Sequence, residues 1–328
     1  EAIAFVAVLM PLVLALGYDS IVAVAITYLA CNLGFSAAML NPFTVGIAQS
    51  IAGIQLYSGV EFRTLVWFVS TLVGCGFVMF YAMKIKKNPE LSPMFEHDQV
   101  KREKLKSTES EHTEFTLRHK IIIAALFTSI ALVVYGVLKL EFWIPQIAAV
   151  FLGLGIISGL VGKLAPNEIA EAFTDGAKDM IGAAIMIGLA KSVMIIAQNA
   201  NIIDTILFNL ANVVGQLPSL IASYIMFVIQ MFINFFVSSG SGQAALTMPI
   251  LAPLGDLVGI SRQLSVLIYQ LGDGFSNAMF PTSGVLIACL GMAGVPYGKW
   301  LKWILPLQAI LFMTAIVFIT IASLIGWA

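Results

Sequence analysis

Charge is scarce in this sequence. Asp, Glu, Lys and Arg supply 11% of its 328 residues, under half of the roughly 25% usual in soluble domains, so water is not its main solvent. The 17 basic and 18 acidic residues nearly cancel, to a formal net charge of −1, which leaves no basic field for a nucleic-acid partner. Histidine is confined to His97, His112 and His119, all in one polar stretch. The apolar body therefore holds no imidazole for a catalytic triad or a metal centre, and neither enzyme activity nor a cofactor is expected. Cys31, Cys75 and Cys289 are too widely spaced for a zinc or redox pair and read as small apolar packing residues.

What fills the chain instead is apolar: 59% of residues are hydrophobic and the mean hydropathy is +0.96. Runs long enough to cross about 30 Å of hydrocarbon lie at about 62–83, 120–138, 142–162, 181–198 and 303–326. Three other apolar stretches are interrupted by Gly, Pro and polar residues, at 34–44 within 19–54, at 238–243 within 219–257 and at 272–284 within 262–296. Interruptions of this kind leave backbone groups that lipid cannot satisfy, so a ligand, or a packed protein partner, is expected there. Glu1 leads straight into an apolar run without a basic flank or a small-residue cleavage site; the run is not read as a signal peptide, and the first unit is expected to be N-terminally truncated.

Between Lys84 and Lys120 the composition turns to Lys, Arg, Glu, Ser and His, with nine of the 17 basic residues. The positive-inside rule puts this segment in the cytoplasm, and its mixed charge reads as a solvated hinge. Threading from it, 120–138 exits, 142–162 returns and 181–198 exits again, with 166–180 an amphipathic helix at the interface. Residues 203–217 then lie outside, and 219–257 re-enters from there as a hairpin. Trp67, Trp143, Trp300, Trp303 and Trp327 fall near the ends of spans and read as an interfacial belt. The expected division is a first transport unit at 1–59, a scaffold helix at 60–86, a cytoplasmic linker at 87–119, scaffold and interfacial helices at 120–217, a second transport unit at 218–298 and a terminal transmembrane helix at 299–328.

The strongest internal signal is a repeat. Gly34-Phe35-Ser36-Ala37-Ala38-Met39 recurs as Gly274-Phe275-Ser276-Asn277-Ala278-Met279, followed by Pro42 and Thr44 in one copy and by Pro281 and Thr282 in the other. Met10-Pro11 and Met248-Pro249 precede the two copies by 24 and 26 residues. In the threading above, one copy runs outward and the other inward. The expected fold is therefore an all-α integral membrane protein of inverted repeats, with re-entrant helical hairpins and broken transmembrane helices around a midplane site.

Each break offers two chemistries. The helix start after Pro42 or Pro281 presents free N–H donors suited to a carboxylate. The opposite half presents carbonyls which, with neutral side-chain oxygens, can cage a hard cation such as sodium. Substrate contacts are expected from Asn41, Pro42, Thr44, Asp273, Pro281 and Thr282, and from the hairpin tip Ser238, Ser239, Gly240, Ser241 and Gly242. A cation is expected at Ser36, Asn41, Ser276, Asn277 and Asp273, so sodium or a proton is the candidate coupling ion. Asp273 is an acid inside an apolar segment with no counterpart in the first copy; it can hold a substrate amino group, a cation or a proton, or serve structurally. Lys191 can be its ionic partner or a ligand for a substrate carboxylate, or can snorkel to an interface. Asp256 and Arg262 read as interfacial.

Ser-Gly-Ser-Gly-Gln at 239–243, Met-Pro-Ile-Leu-Ala-Pro-Leu-Gly-Asp at 248–256, Gly-Asp-Gly-Phe-Ser-Asn at 272–277, Asn-Pro-Phe-Thr-Val-Gly at 41–46 and Val-Pro-Tyr-Gly-Lys-Trp at 295–300 resemble the C4-dicarboxylate anaerobic carrier-like family of the ion transporter superfamily, in its YfcC-type subgroup. The resemblance implies a dimeric scaffold carrying a mobile domain, hence elevator-type transport, and a likeness of Ser36, Asn41 and Thr44 and of Ser276, Asn277 and Thr282 to the superfamily's Ser-Asn-Thr clusters. The expected function is secondary transport of a small carboxylate-bearing metabolite, an amino acid or basic amino acid by antiport, across a bacterial inner membrane. Asp273 and the lack of an arginine pair weigh against a C4-dicarboxylate, the second reading within transport. A channel is the alternative of another class.

Overall fold

The computed structural model describes residues 2–108, 116–140, 144–200 and 214–327, with Phe142, Thr205 and Asn209. Among them every regular element is a helix. The chain divides into two compact units, Glu1–Arg102 with Gly182–Ala328, and Glu103–Ile181.

In the first unit, α1 (Ala2–Ala15) is followed by α2 (Ser20–Ser36), which carries a π-type turn at Ala25–Leu29. After a break, a second π-type turn, Pro42–Gly46, leads into α3 (Ile47–Ala52), and then comes α4 (Val60–Lys87). A 3-10 turn at Pro89–Leu91 and α5 (Phe95–Thr108) follow, the residues of α5 from Glu103 onward falling in the second unit. Later in the chain α9 (Ser219–Phe236) and α10 (Gly240–Leu257) are joined by three residues. Then come α11 (Arg262–Ser276), a second break, α12 (Gly284–Ala293) and α13 (Tyr297–Leu324). The order of helix, interrupted helix, short helix and long helix thus occurs at 2–87 and again at 240–324.

Local chemistry sets the ends of these elements. Asp19 accepts from Val22 N at 2.9 Å to start α2, and Ser261 accepts from Leu264 N at 3.1 Å to start α11, caps each worth about 1 kcal/mol. Gly53 and Gly294, at φ 68° and 59°, close α3 and α12 in the left-handed conformation that glycine adopts without strain. Packing is reciprocal: α1 lies on α12, α10 on α3, α2 on α11 and α4 on α13. α4, α9 and α13 are long and apolar enough to cross a membrane. Leu65, Leu72, Met79 and Phe80 on α4 and Met313 and Val317 on α13 stand exposed, a surface suited to hydrocarbon and not to water.

The second unit contains α6 (Leu117–Lys139), α7 (Ile144–Val161), which packs on it, and the start of α8 (Pro166–Asn199). Here the sequence reading needs correction, because 166–180 and 181–198 form one helix and not an interfacial segment followed by a span. The change from polar to apolar side chains alters the solvent a helix prefers; it does not interrupt the backbone ladder, and no proline stands at the junction.

Two further expectations change. Trp300 is fully buried and Trp303 nearly so, their rings 5.1 Å apart between centroids and tilted by 41°, so both belong to the core and not to an interfacial belt. Cys31 and Cys75 are exposed, and of the three cysteines only Cys289 is a buried packing residue. The charged segment after Lys87 is also not a free hinge along its length. Asp98, 1% exposed, accepts from Ser20 N at 2.7 Å and Ser20 Oγ at 2.6 Å. Lys101 donates to Asp98 and to the Ala293 carbonyl, at 2.9 and 2.8 Å.

Candidate substrate site at the two helix breaks

α2 and α11 meet where their Gly-Phe-Ser segments cross. A Cβ on Gly274 would lie 2.4 Å from Ser36 Cα, so only glycine permits this approach. The helices then satisfy one another: Tyr28 Oη donates to the Asn277 carbonyl at 2.9 Å, Asn32 Nδ2 to the Gly274 carbonyl at 3.3 Å and, in return, Gln270 Nε2 to the Ala38 carbonyl at 2.7 Å.

The α9–α10 tip closes over this crossing. Ser238 Oγ donates to the Thr282 carbonyl at 2.9 Å and Tyr269 Oη to the Gly240 carbonyl at 2.6 Å. Gly240 is the meeting point, since a Cβ on it would stand 2.7 Å from Thr44 Cγ2, 2.9 Å from Phe35 Cζ and 3.2 Å from Asp273 Oδ2. The tip, the first break and the second break thus converge on one spot.

At that spot lie three polar side chains without partners. Thr44 Oγ1, Thr282 Oγ1 and both carboxyl oxygens of Asp273 are buried and make no hydrogen bond. Asn277 stands beside the Asp273 carboxyl without reaching hydrogen-bond geometry. Each such group costs about 1–3 kcal/mol when left unsatisfied, and a fold retains that cost where a ligand relieves it.

The remaining expected residues are placed less centrally. Ser36 Oγ and Ser276 Oγ turn back onto their own helices, to the Asn32 carbonyl at 2.5 Å and the Gly272 carbonyl at 2.7 Å. Asn41 caps the first break by accepting from Phe43 N at 2.8 Å, while Pro42 and Pro281 are exposed. Ser239, Ser241 and Gly242 are half-buried at the tip. The side chain of Lys191 lies outside the described residues. Asp256 and Arg262 pair with each other at 2.8 Å, both well exposed.

Several polar residues at the breaks carry no sequence motif. Asn234 on α9 bonds three atoms of the second break. Arg63, 1% exposed, donates to Gln270 Oε1 at 2.5 Å and lies over the Trp327 ring at 5.4 Å; through Gln270 it braces the first break. Inside the hairpin, Gln230 likewise lies outside any motif and accepts at Oε1 from Nε2 of Gln243, itself part of the polar run at 238–243, at 2.7 Å. The one available signal was an amide or cation in an otherwise apolar helix.

A family model for the C4-dicarboxylate anaerobic carrier matches residues 1–324. The chain belongs to that family. Among curated relatives, "Putative basic amino acid antiporter YfcC" of Escherichia coli (strain K12) is 41% identical over 338 residues, covering 100% of this chain and 66% of the relative. An uncharacterised protein of Haemophilus influenzae is 35% identical over 315 residues, covering 95% and 62%. The chain thus spans just under two thirds of the length of these relatives. Among solved structures, the YdaH transporter of Alcanivorax borkumensis shares the fold at a TM-score of 0.51 and 16% identity, over 98% of this chain and 73% of that one. The chain is thus an α-helical membrane protein of that family.

Proposed function

We propose that this chain is the transport core of a secondary transporter that exchanges an amino acid, with a basic amino acid as the specific substrate class. The carrying observation is Asp273, a fully buried acid with no bond to either oxygen, set against Thr44 and Gly240. A substrate ammonium there would supply the missing donor and the missing charge. The hydroxyls of Thr44 and Thr282 and the tip residues 238–242 would take the carboxylate. The printed description of the Escherichia coli relative supports this reading.

The reciprocal packing of 2–87 and 240–324 supports inverted repeats, and paired breaks support an elevator-type movement of the unit that carries them. The setting is a multi-pass bacterial inner-membrane protein with its charged linker in the cytoplasm, working as a homodimer. The family description favours a C4-dicarboxylate as a second reading; its two carboxylates would bring only acceptors to the buried Asp273 carboxyl, whose oxygens lack donors.

Thermal stabilisation of the purified intact protein tests this. Lysine or arginine should raise the melting temperature, succinate should not, and Asp273→Asn should lose the lysine response while still inserting and folding. Stabilisation by succinate alone, or a lysine response untouched in Asp273→Asn, would sink the amino-acid reading.

A further inference from the structure

The second break was expected to cage a cation with Ser276, Asn277 and Asp273. Its oxygens do converge, but onto a nitrogen. Asn234, fully buried on α9, places Nδ2 at 2.9 Å from the Asp273 carbonyl, 2.8 Å from Ser276 Oγ and 3.1 Å from Asn277 Oδ1. The orientation of the amide is fixed by chemistry. The Asp273 carbonyl can only accept, and Ser276 spends its own proton on the Gly272 carbonyl at 2.7 Å, so the atom between them must be a donor. Two amide hydrogens serve three oxygens, which is the crowding expected where an oxygen cluster surrounds a positive centre.

The neighbouring carbonyls are held as well. Tyr28 donates to Asn277, Trp300 Nε1 to Ala278 at 2.9 Å, Tyr297 Oη to Met279 at 2.6 Å and Ser238 to Thr282. A cation entering here would have to displace Asn234 and compete for oxygens that already accept protein donors.

We infer that the second break of this carrier takes no coupling cation, because the side-chain amide of Asn234 occupies the oxygen cluster as a tethered substitute for one. Asn234 is thereby a positioning residue: it holds the Asp273 backbone and the Ser276 and Asn277 side chains where an ion would otherwise have to hold them. The inference takes its meaning from the transport reading, but it is read out by ion binding, so either can fail alone.

The experiment compares melting temperatures of the intact protein at about pH 8 in sodium chloride and in N-methylglucamine chloride. Asn234→Asp replaces two donors by two acceptors and should acquire a sodium-specific rise of about 3 °C at saturation beyond any wild-type response. Ser276→Ala in that background should abolish the gain. Asn234→Ser, which opens the cluster without adding charge, should gain in the same direction and serves if the aspartate variant does not fold. With Asn234 intact, Ser276→Ala should leave the wild-type sodium response unchanged. A wild-type response that Ser276→Ala removes, or no gain in either Asn234 variant, overturns the inference.

Discussion

At the scale of single residues, the two copies of the repeat differ in packing as well as in sequence, where Asp273 already had no counterpart. Gly34 and Gly274 head identical Gly-Phe-Ser strings, yet a Cβ on Gly34 meets nothing within 4 Å whereas one on Gly274 strikes the backbone of Ser36. Sequence showed the string; only packing shows which glycine is a contact. The tip is similar, since the Ser-Gly-Ser-Gly-Gln run marked 238–243 as polar without saying that Gly240 is the residue pressed against Thr44, Phe35 and Asp273. Its φ is not positive, so alanine there adds volume and no backbone strain. Gly240→Ala should therefore still fold, at a melting temperature lowered by the overlap of its Cβ with Thr44 and Phe35, an overpacking cost of about 1–3 kcal/mol, and should weaken substrate binding at least about tenfold, a loss of about 1.4 kcal/mol. Isothermal titration with the stabilising amino acid checks this, and unchanged affinity would move the site away from the tip. Asp273, Thr44 and Thr282 were legible because acid and hydroxyl side chains are conspicuous beside helix breaks. Asn234, Tyr28 and Gln270 were not, because a lone polar residue in an apolar helix has no motif until its partner, dozens to hundreds of residues away, is known.

At the scale of elements, the breaks could be read from glycine, proline and polar clusters, which interrupt the backbone ladder itself. The charged linker could not, because composition reports solvent preference and says nothing of docking. Its first part is bound to the turn before α2, where Asp19 is 2% exposed and accepts from Ser92 Oγ at 2.6 Å and from Tyr81 Oη at 2.5 Å. Burial pushes the Asp19 carboxyl above its ordinary value, against the opposing pull of these hydrogen bonds and with a smaller contribution from nearby Asp98. The folded protein thus holds the Asp19 proton more tightly than the unfolded chain does. Its stabilising contribution is complete below the ordinary carboxylate range and is lost as pH rises through the raised folded value. Asn at this position cannot ionise, and the Ser92 and Tyr81 hydroxyls can turn to accept from its amide. The melting temperature of Asp19→Asn minus that of wild type should therefore grow between about pH 4 and pH 7. A difference that is flat or shrinks with rising pH would show that Asp19 pays no burial penalty in the folded state.

At the scale of the molecule, the membrane class followed from composition, since 59% hydrophobic residues with 11% charge leave few other solvents for the chain, and its helical character from apolar runs of about twenty residues. The proposed orientation in the bilayer rests on one asymmetry, the basic segment after Lys87, and so does the proposed inverted relation of the two halves. If 2–87 and 240–324 are inverted, the turn after α3 and the turn after α12 face opposite sides, although both follow a left-handed glycine, Gly53 and Gly294. Gln55 in the first turn and Gly298 just past the second are both exposed, and a side chain at Gly298 has open space. In a background with Cys31, Cys75 and Cys289 replaced by alanine, Gln55→Cys should react with an impermeant maleimide applied outside intact cells. Gly298→Cys should react only after permeabilisation. Labelling of both from one side would mean that the halves are parallel, and paired breaks of the same orientation could not present one helix start and one helix end from each face to a midplane substrate. Labelling from opposite sides leaves the two starts, after Pro42 and after Pro281, aimed at a common centre from opposite leaflets, which is the geometry a substrate with a carboxylate at one end and an ammonium near Asp273 requires.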